Sequence, residues 1–294
     1  MAELSKPSVA MDFTGERFTP ECVREIWYEH WHRYAFARAL AAGKRVLDAA
    51  CGEGYGSALL AEVAAEVTGV DISADAITHA TARYGSARGL SFRQGDATAL
   101  DELPSASFDL ITSFETLEHL SAQDAMLAGF ARLLAPGGVL LVSSPDKAEY
   151  SDKRGFDNAF HVRELYRDEF DALLSRHFRQ HRLYGQKLLF QSVLWELESA
   201  GHGVAATTEA DGRLCDGLAY PPLYFIAVCG QDALPALPGV HLFGDAGEAV
   251  YSHYNGEVRK NMAAGARIAE LEQRIHELES RSSAPGPWWR RLFG

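Results

Sequence analysis

Cysteine is scarce in this chain, and its spacing excludes several classes of protein. The four cysteines are Cys22, Cys51, Cys215 and Cys229, and they form neither a C-x-x-C pair nor a dense framework. This spacing argues against a disulfide-stapled domain and against a zinc site. The sequence therefore predicts a reduced, cytoplasmic location.

Long apolar stretches and basic residues are also in short supply. No run of about 18 apolar residues is present, so no membrane-spanning helix is predicted. The N-terminal sequence MAELSKPSVAMDF lacks the apolar core of a secretion signal. Lysine and arginine number 28 against 40 aspartates and glutamates, a net charge of −12. This balance excludes nucleic acid as an expected partner, because nucleic acids are bound by clustered basic surface.

Apolar strands alternate with helical segments through the first half of the chain. RVLDAA, VTGVDI, LSFRQGD, FDLITSF and VLLVSSP have strand character, and HRLYGQKLLF and PLYFIAVCG are two later strands. Such alternation predicts an α/β fold, a parallel sheet with helices on both faces. The predicted organisation is an N-terminal segment with a capping helix (1-43), the sheet domain (44-230), a linker (231-251), a helix or coiled coil (252-281) and an aromatic-basic tail (282-294).

A glycine-rich turn follows the first of these strands, in the sequence VLDAACGEGYGS. Gly52 and Gly54 let the backbone approach a ligand closely. Asp71, at the end of the next strand, is placed to accept hydrogen bonds from two ribose hydroxyls, as in dinucleotide-binding folds. The pattern thus predicts a nucleoside-bearing cofactor and does not yet identify it.

Three further positions favour S-adenosylmethionine over a nicotinamide cofactor. Ser57 stands where a dinucleotide fingerprint has its third glycine. Asp48 would repel a pyrophosphate but suits the ammonium end of a methionine moiety. Asp96, after the third strand, is placed to accept a hydrogen bond from the adenine amino group.

At this point the chain resembles the class I S-adenosylmethionine-dependent methyltransferases. VLDAACGEGYG, GVDIS, GDATAL, FDLITSFETLEHL and LAPGGVLLVSSP occur in the order of that family. The resemblance implies a Rossmann-like sheet of seven strands, six parallel and one antiparallel. In some relatives an arginine on the helix before the first strand holds the cofactor carboxylate, and Arg33 sits at a comparable distance from Val46. The cofactor-binding residues expected are Asp48, Gly52, Gly54, Tyr55, Asp71, Ile72, Asp96, Ala97, Phe114 and Arg33, with Tyr28 facing the pocket on a helix that also packs on the core.

Catalytic candidates follow the fourth and fifth strands. Methyl transfer to a hydroxyl is helped by a base that takes its proton, and histidine is the natural base near neutral pH. His119 lies four residues after Glu115, so the two could share one face of a helical turn. His161 is expected to begin the helix after a long polar loop. Glu118 is interpreted as structural, and no metal is predicted because Glu115 and His119 come without a specified third ligand.

A narrower resemblance concerns the acceptor. GERFTPE, YEHWHRY, SFETLEHL and NAFHVREL are similar to methyltransferases of bacterial surface-polysaccharide (O-antigen) assembly. This resemblance implies methylation of a sugar hydroxyl, or less expectedly a terminal phosphate, of a surface glycan or its precursor. The alternatives are a small-metabolite methyltransferase and a coiled-coil scaffold whose methyltransferase fold is not catalytic.

The C-terminal part carries a short heptad pattern. Ile268, Leu271, Ile275 and Leu278 are spaced as a coiled-coil seam, which predicts a homo-oligomer or a glycosyltransferase partner. The final WWRRLF could rest on an anionic membrane surface at the inner face of the cell membrane. A tail without structure or a strap packed on the domain is an equal alternative.

Overall fold

The computed structural model describes residues 25–193, 206–208 and 214–282. The segment GERFTPE and the terminal WWRRLF lie outside the described residues. The helices are α1 (Glu25–Ala41), α2 (Tyr55–Ala61), α3 (Ala74–Tyr84), α4 (Gln123–Leu133), α5 (Arg167–His177) and α6 (Ala249–Ser282), with short turns of 3-10 helix at Leu117–His119 and π-helix at Ala148–Asp152. The strands are β1 (Arg45–Ala49), β2 (Glu66–Asp71), β3 (Leu90–Gln94), β4 (Phe108–Ser113), β5 (Leu134–Pro145), β6 (Gln180–Gln186), β7 (Ala206–Thr208), β8 (Leu214–Asp216) and β9 (Tyr224–Gly230).

Seven strands form one sheet in the order β3-β2-β1-β4-β5-β9-β6. The strands β1 to β5 pair in parallel, and β9 runs antiparallel between β5 and β6. The expected sheet of six parallel strands and one antiparallel strand is therefore confirmed. The order reverses between β1 and β4, and open α/β sheets bind ligands beyond the carboxyl ends of the strands at such a point.

The central strands are buried on both faces. In β1, Val46 joins a core covered by α1 and α2, whereas its neighbour Leu47 joins a second core covered by α4 and α5. The same alternation recurs in β4, where Leu110 and Ile111 enter opposite cores. Strands covered on both sides read as continuous apolar runs, which is why VLDA and LITS were recognisable in the sequence.

The helix after the long loop starts later than expected. The prediction that His161 begins it is wrong, because α5 begins at Arg167. The Glu169 carboxylate accepts a hydrogen bond from the Tyr166 amide at 3.0 Å, which caps the helix there. His161 instead lies in the preceding loop, whose next two amides bond to the Glu118 carbonyl oxygen.

The chain divides into two compact units, residues 1–243 and 244–294. The second unit contains α6, a helix of 34 residues. Its predicted seam residues are exposed on the described chain, Ile268 by 56 % and Leu271 by 46 %. None of the helices among the described residues is long and apolar enough to cross a bilayer.

Candidate functional site

Asp48 lies fully buried under the glycine turn, in the middle of a set of hydroxyl groups. Its carboxylate accepts hydrogen bonds from Ser57 Oγ at 2.6 Å, Thr112 Oγ1 at 2.8 Å and the Tyr34 hydroxyl at 3.1 Å. Burial raises the pKa of Asp48 to about 6, and the three hydroxyls oppose that rise. These donors come from α2, β4 and α1, so Asp48 joins the elements around the turn. Its predicted contact with the ammonium end of the cofactor stays a prediction.

The glycine turn is open on one side and packed on the other. Gly52 and Gly54 have φ values of +56° and +92°, in the left-handed region that favours glycine. A Cβ on Gly54 would lie 2.8 Å from both the Ala80 Cβ and the Phe92 ring. A Cβ on Gly52 would meet nothing within 4 Å. The turn therefore presents open backbone at Gly52, while close packing at Gly54 holds it in place.

Asp71 closes the turn from the end of β2. Its Oδ2 accepts the Gly52 amide and its Oδ1 accepts the Ser73 amide, both at 2.9 Å. Each carboxylate oxygen has a second lone pair for a ligand hydroxyl. Ile72 stands beside it with 67 % of its surface exposed. The two predicted contacts with a nucleoside are thus adjacent.

Asp96 and Ala97, predicted at the adenine end, follow β3, and Phe114, predicted to line the pocket, follows β4. Asp96 Oδ1 accepts the Thr98 amide and hydroxyl, both at 2.8 Å, which orients the carboxylate after β3. Ala97 packs partly buried against the core beneath α4 and α5. Phe114, at the end of β4, is buried edge-on against the Tyr34 ring, with centroids 5.1 Å apart.

Arg33, on α1, is 2 % exposed and lies among polar groups from three other segments. Its Nε donates to Gln186 Oε1 at 2.7 Å, and its guanidinium lies 4.6 Å from the centre of the Tyr224 ring. Nη1 is 3.0 Å from Glu115 Oε1. This contact is an ion pair, and neither Nη1 nor Nη2 meets the geometry of a hydrogen bond within the part of the chain that the structure describes. Arg33 thus retains donors of the kind that bind a carboxylate.

Tyr28, which was assigned to the pocket, and His32 on the same helix contact a different segment. Tyr28 packs edge-on against Phe243, with ring centroids 6.1 Å apart. His32 Nε2 lies 2.9 Å from His241 Nδ1. His241 and Phe243 therefore lie against α1, and the cofactor contact of Tyr28 stays a prediction. Tyr55, at the start of α2, is buried against the Tyr34 ring.

Glu115 and His119 do not share a helical face. Glu115 has a φ of +51°, which breaks the chain direction before the short turn Leu117–His119. Its carboxylate turns to Arg33 and accepts the Ser143 hydroxyl at 2.9 Å. Glu118, interpreted from the sequence as structural, is 1 % exposed. Burial, and secondly the Glu115 charge, raises the pKa of Glu118 well above the ordinary range.

The two predicted histidines come together although 42 positions separate them in the sequence. The ring centroids of His119 and His161 are 5.0 Å apart, edge to face. His119 Nδ1 lies 3.0 Å from the Phe160 carbonyl oxygen, and His161 Nδ1 lies 2.5 Å from Glu164 Oε1. These contacts fix the orientation of both rings.

A surface cleft of about 530 Å³ adjoins His161. It is lined by polar and charged groups together with an aromatic ring, Phe156, that is 52 % exposed. The other lining residues include Lys147, Ser151, Asp152, Asp157, Arg163 and Glu164.

Sequence reasoning missed several residues of the site. Tyr34 and Thr112 donate to Asp48, but hydroxyl residues are too common for the sequence to single them out. Ser57 was noted only as a departure from the dinucleotide fingerprint, not as a hydrogen-bond donor to Asp48. Glu29 lies beside Arg33, and burial raises its pKa to about 7. A one-turn spacing of Glu29 and Arg33 on α1 was the available signal, and it is equally typical of an exposed helix face.

Comparisons with known proteins bear on this geometry. Residues 40–195 match the family described as "Methyltransferase domain". A protein of Mycolicibacterium smegmatis named "Probable S-adenosylmethionine-dependent methyltransferase" is 39 % identical over 168 residues, which cover 56 % of this chain and 64 % of that protein. The chain thus spans less than two thirds of this relative's length.

Two further similarities are to a curated protein and to a solved structure. The "Ubiquinone biosynthesis O-methyltransferase" of Thiobacillus denitrificans is 34 % identical over 113 residues, 38 % of this chain and 49 % of that protein. A methyltransferase solved in complex with the Haloferax volcanii Trm112 activator aligns with a TM-score of 0.50 at 19 % identity, covering 73 % of this chain and 92 % of the other. The latter similarity concerns the fold alone.

Proposed function

Because the chain belongs to the methyltransferase domain family, we propose that it is an S-adenosylmethionine-dependent O-methyltransferase. The proposed acceptor is a sugar hydroxyl of a surface glycan or its precursor. The observation that carries the cofactor assignment is the Asp71 carboxylate, bonded to the Gly52 amide where the backbone is open.

The residues present fit the cofactor in three places. Asp71 has lone pairs for the ribose hydroxyls. Arg33 can donate hydrogen bonds to the carboxylate of the cofactor, because its Nη1 and Nη2 atoms make no hydrogen bond within the described chain. The ionised form of Asp48 places a negative charge under the turn, which favours a cationic ligand. When bound, S-adenosylmethionine supplies a methyl group on a positively charged sulfur.

The chain's contribution to the reaction is orientation and exclusion of water. Methyl transfer is an in-line displacement, so holding acceptor and donor in line contributes a large part of the rate. Glu115, His119 and His161 lie on the acceptor side, beyond β4 and β5. The two histidines remain the predicted residues for handling the proton of the acceptor hydroxyl.

Two features support a sugar acceptor. The cleft next to His161 combines acidic side chains, which pair with sugar hydroxyls, with the exposed Phe156 ring, on which a sugar face can rest. The sequence motifs shared with surface-polysaccharide methyltransferases point the same way. The similarity to the ubiquinone biosynthesis O-methyltransferase favours a second candidate acceptor, a small metabolite with a hydroxyl group.

Titration with S-adenosylhomocysteine tests the cofactor assignment. Asp71→Asn removes the charge that accepts the ribose hydroxyls, and hydrogen bonds to a charged group contribute about 1.5–3 kcal/mol, or roughly 10- to 100-fold in affinity. Asp75→Asn, in the exposed first turn of α3, is the matched control and leaves affinity unchanged. Absence of binding to the full chain would instead favour the scaffold alternative.

Methyl transfer from labelled cofactor tests the acceptor. The panel contains nucleotide sugars, lipid-linked glycans and quinone precursors. Label in the sugars or glycans supports the proposal. Label found in the quinone precursors alone would show that the acceptor is a small metabolite, the second candidate.

A further inference from the structure

Three side chains beyond β4 and β5 bring metal-ligating atoms together. One carboxylate oxygen of Glu118 and one ring nitrogen each of His119 and His161 lie within 4.8 Å of one another. Glu118 and His119 belong to the short helical turn after β4, whereas His161 belongs to the loop after β5. The amides of Val162 and Arg163 donate to the Glu118 carbonyl oxygen at 2.8 and 2.9 Å. The backbone itself thus holds the distant histidine against the other two residues.

The Glu118 carboxylate is the unusual member of this cluster. It is 1 % exposed, and on the described chain neither of its oxygens has a hydrogen-bond partner. Buried carboxylates are ordinarily paired with a cation, hydrogen-bonded or coordinated to a metal, because isolation from water is costly. By contrast, the buried Asp48 has three hydroxyl donors.

Each of the two histidines has one ring nitrogen hydrogen-bonded to an oxygen, as histidines that bind metals usually do. The Phe160 carbonyl oxygen accepts from His119 Nδ1, which places the proton on that nitrogen and makes Nε2 the basic one. The Glu164 carboxylate likewise accepts a hydrogen bond from His161 Nδ1, which leaves Nε2 of that ring as the basic nitrogen. Ser151 Oγ donates to the other Glu164 oxygen at 2.5 Å. A carbonyl or carboxylate on the second ring nitrogen is the usual support of a metal ligand.

We propose that Glu118, His119 and His161 bind a divalent cation of the Mn²⁺ to Zn²⁺ series. Two imidazoles and one carboxylate suit such borderline ions better than Mg²⁺ or Ca²⁺, which prefer oxygen ligands alone. Three protein ligands leave coordination positions open, and the neighbouring cleft gives an acceptor access to them.

The chemical consequence rests on the proposed function. A divalent cation held by these residues would lower the pKa of a coordinated acceptor hydroxyl and so ease the loss of its proton. The proton leaves to solvent, the acceptor oxygen forms a bond to the methyl carbon, and the bond from that carbon to sulfur breaks. The histidines then act as ligands rather than as bases, and Glu164 is a positioning residue.

Titration of the full chain with Mn²⁺, with free Mn²⁺ followed by electron paramagnetic resonance, tests the site. The wild type is expected to bind one Mn²⁺ per chain. Glu118→Gln and His161→Gln each remove a ligand and weaken binding by more than about 100-fold, and Glu164→Gln weakens it by about 10- to 100-fold. His181→Gln is the matched control: His181 also bonds a carboxylate, Asp171 at 2.8 Å, but outside this cluster. It leaves binding unchanged.

Each other outcome overturns the inference. Absence of Mn²⁺ binding, retention of affinity in Glu118→Gln and His161→Gln, or an equal loss in His181→Gln shows that these residues form no specific site. S-adenosylhomocysteine affinity, measured on every variant, reports that the fold is intact. Binding of S-adenosylhomocysteine without Mn²⁺ binding leaves the proposed function standing and removes the metal site. Binding of Mn²⁺ without S-adenosylhomocysteine binding leaves the metal site and removes the methyltransferase proposal.

Discussion

Asp48 is an ionisable side chain that the fold holds away from water. Its hydroxyl partners stabilise the charge, but burial outweighs them and raises its pKa from 3.8 to about 6. A shift of that size corresponds to about 3 kcal/mol of preference for the protonated form. At neutral pH the ionised form of Asp48 therefore destabilises the fold, and a cationic ligand above the turn would offset part of that cost.

Asp48→Asn tests this cost through the pH dependence of folding. The folded pKa is raised, so the folded state binds the proton more tightly, and Asp48 stabilises the protein fully below about pH 4. This contribution is lost as the pH rises through about 6. The difference in unfolding free energy between wild type and Asp48→Asn is expected to fall by about 2 kcal/mol between pH 4 and pH 7. Denaturant titrations at several pH values measure it, with Asp75→Asn as the exposed control; a pH-independent difference contradicts the prediction.

Gly54 is a second position where a single residue decides the geometry. Gly54→Ala combines a left-handed φ with contacts of 2.8 Å to Ala80 and Phe92. The expected loss of unfolding free energy is about 2–4 kcal/mol, with weaker cofactor binding, because the turn must shift.

Gly129→Ala is the matched control for that substitution. Gly129 lies inside α4, and an added Cβ meets nothing within 4 Å. Alanine favours a helix over glycine by up to about 1 kcal/mol, so this variant is neutral or more stable. Equal effects of the two substitutions on thermal unfolding would contradict the close packing at Gly54.

At the scale of elements, α1 connects the residues under the glycine turn with residues that follow β4 and end β6. It carries Tyr34, which bonds Asp48, and Arg33, which reaches Glu115 after β4 and Gln186 at the end of β6. The sequence predicted a helix there, but its contacts depend on strands that are distant in the chain. The helix α1 therefore contacts side chains at the carboxyl ends of several strands of the sheet.

The helix α6 presents its heptad seam to solvent on the described chain. We expect Ile268, Leu271, Ile275 and Leu278 to pair with another chain, because apolar residues at 3-4-3 spacing form a coiled-coil stripe. Leu271→Glu combined with Ile275→Glu is expected to convert an oligomer into a monomer. Gln273→Glu, on the opposite face of α6, is the control. Light scattering after size exclusion measures the mass, and a wild-type monomer would contradict the coiled-coil prediction.

At the scale of the whole molecule, the division into units lies after Phe243. The sequence placed the end of the sheet domain at Gly230, on the last residue of β9. In the structure Leu234 and Leu237 pack against the core beneath α1, and Phe243 lies against Trp27. The first unit thus includes residues that have linker composition.

Two truncations separate these boundaries. A chain that ends at Phe243 is expected to keep the cofactor affinity and thermal stability of the full chain. A chain that ends at Gly230 uncovers α1 and loses at least about 2 kcal/mol of unfolding free energy, since several buried apolar side chains are removed. Calorimetry on both compares them, and equal stability of the two would show that residues 231–243 contribute nothing to the fold.

Much of the fold was predictable because its signals are local. The β1 strand and the glycine turn are contiguous in sequence, and Ser73 caps α3 as a serine before a helix usually does, accepting the Ala76 amide at 3.2 Å. The expected helix start at His161 failed because the backbone there bonds to the distant Glu118 instead of continuing as a helix.

Sequence alone determined the class of fold, the glycine turn and the acids at the strand ends, since each depends on neighbours within a few residues. Only the tertiary structure decided that Asp48 is buried among hydroxyls, that Arg33 faces Glu115, and that His161 lies beside Glu118. The physical reason is that burial and charge pairing arise between strands far apart in the chain, and no local spacing encodes which side chains then share a site.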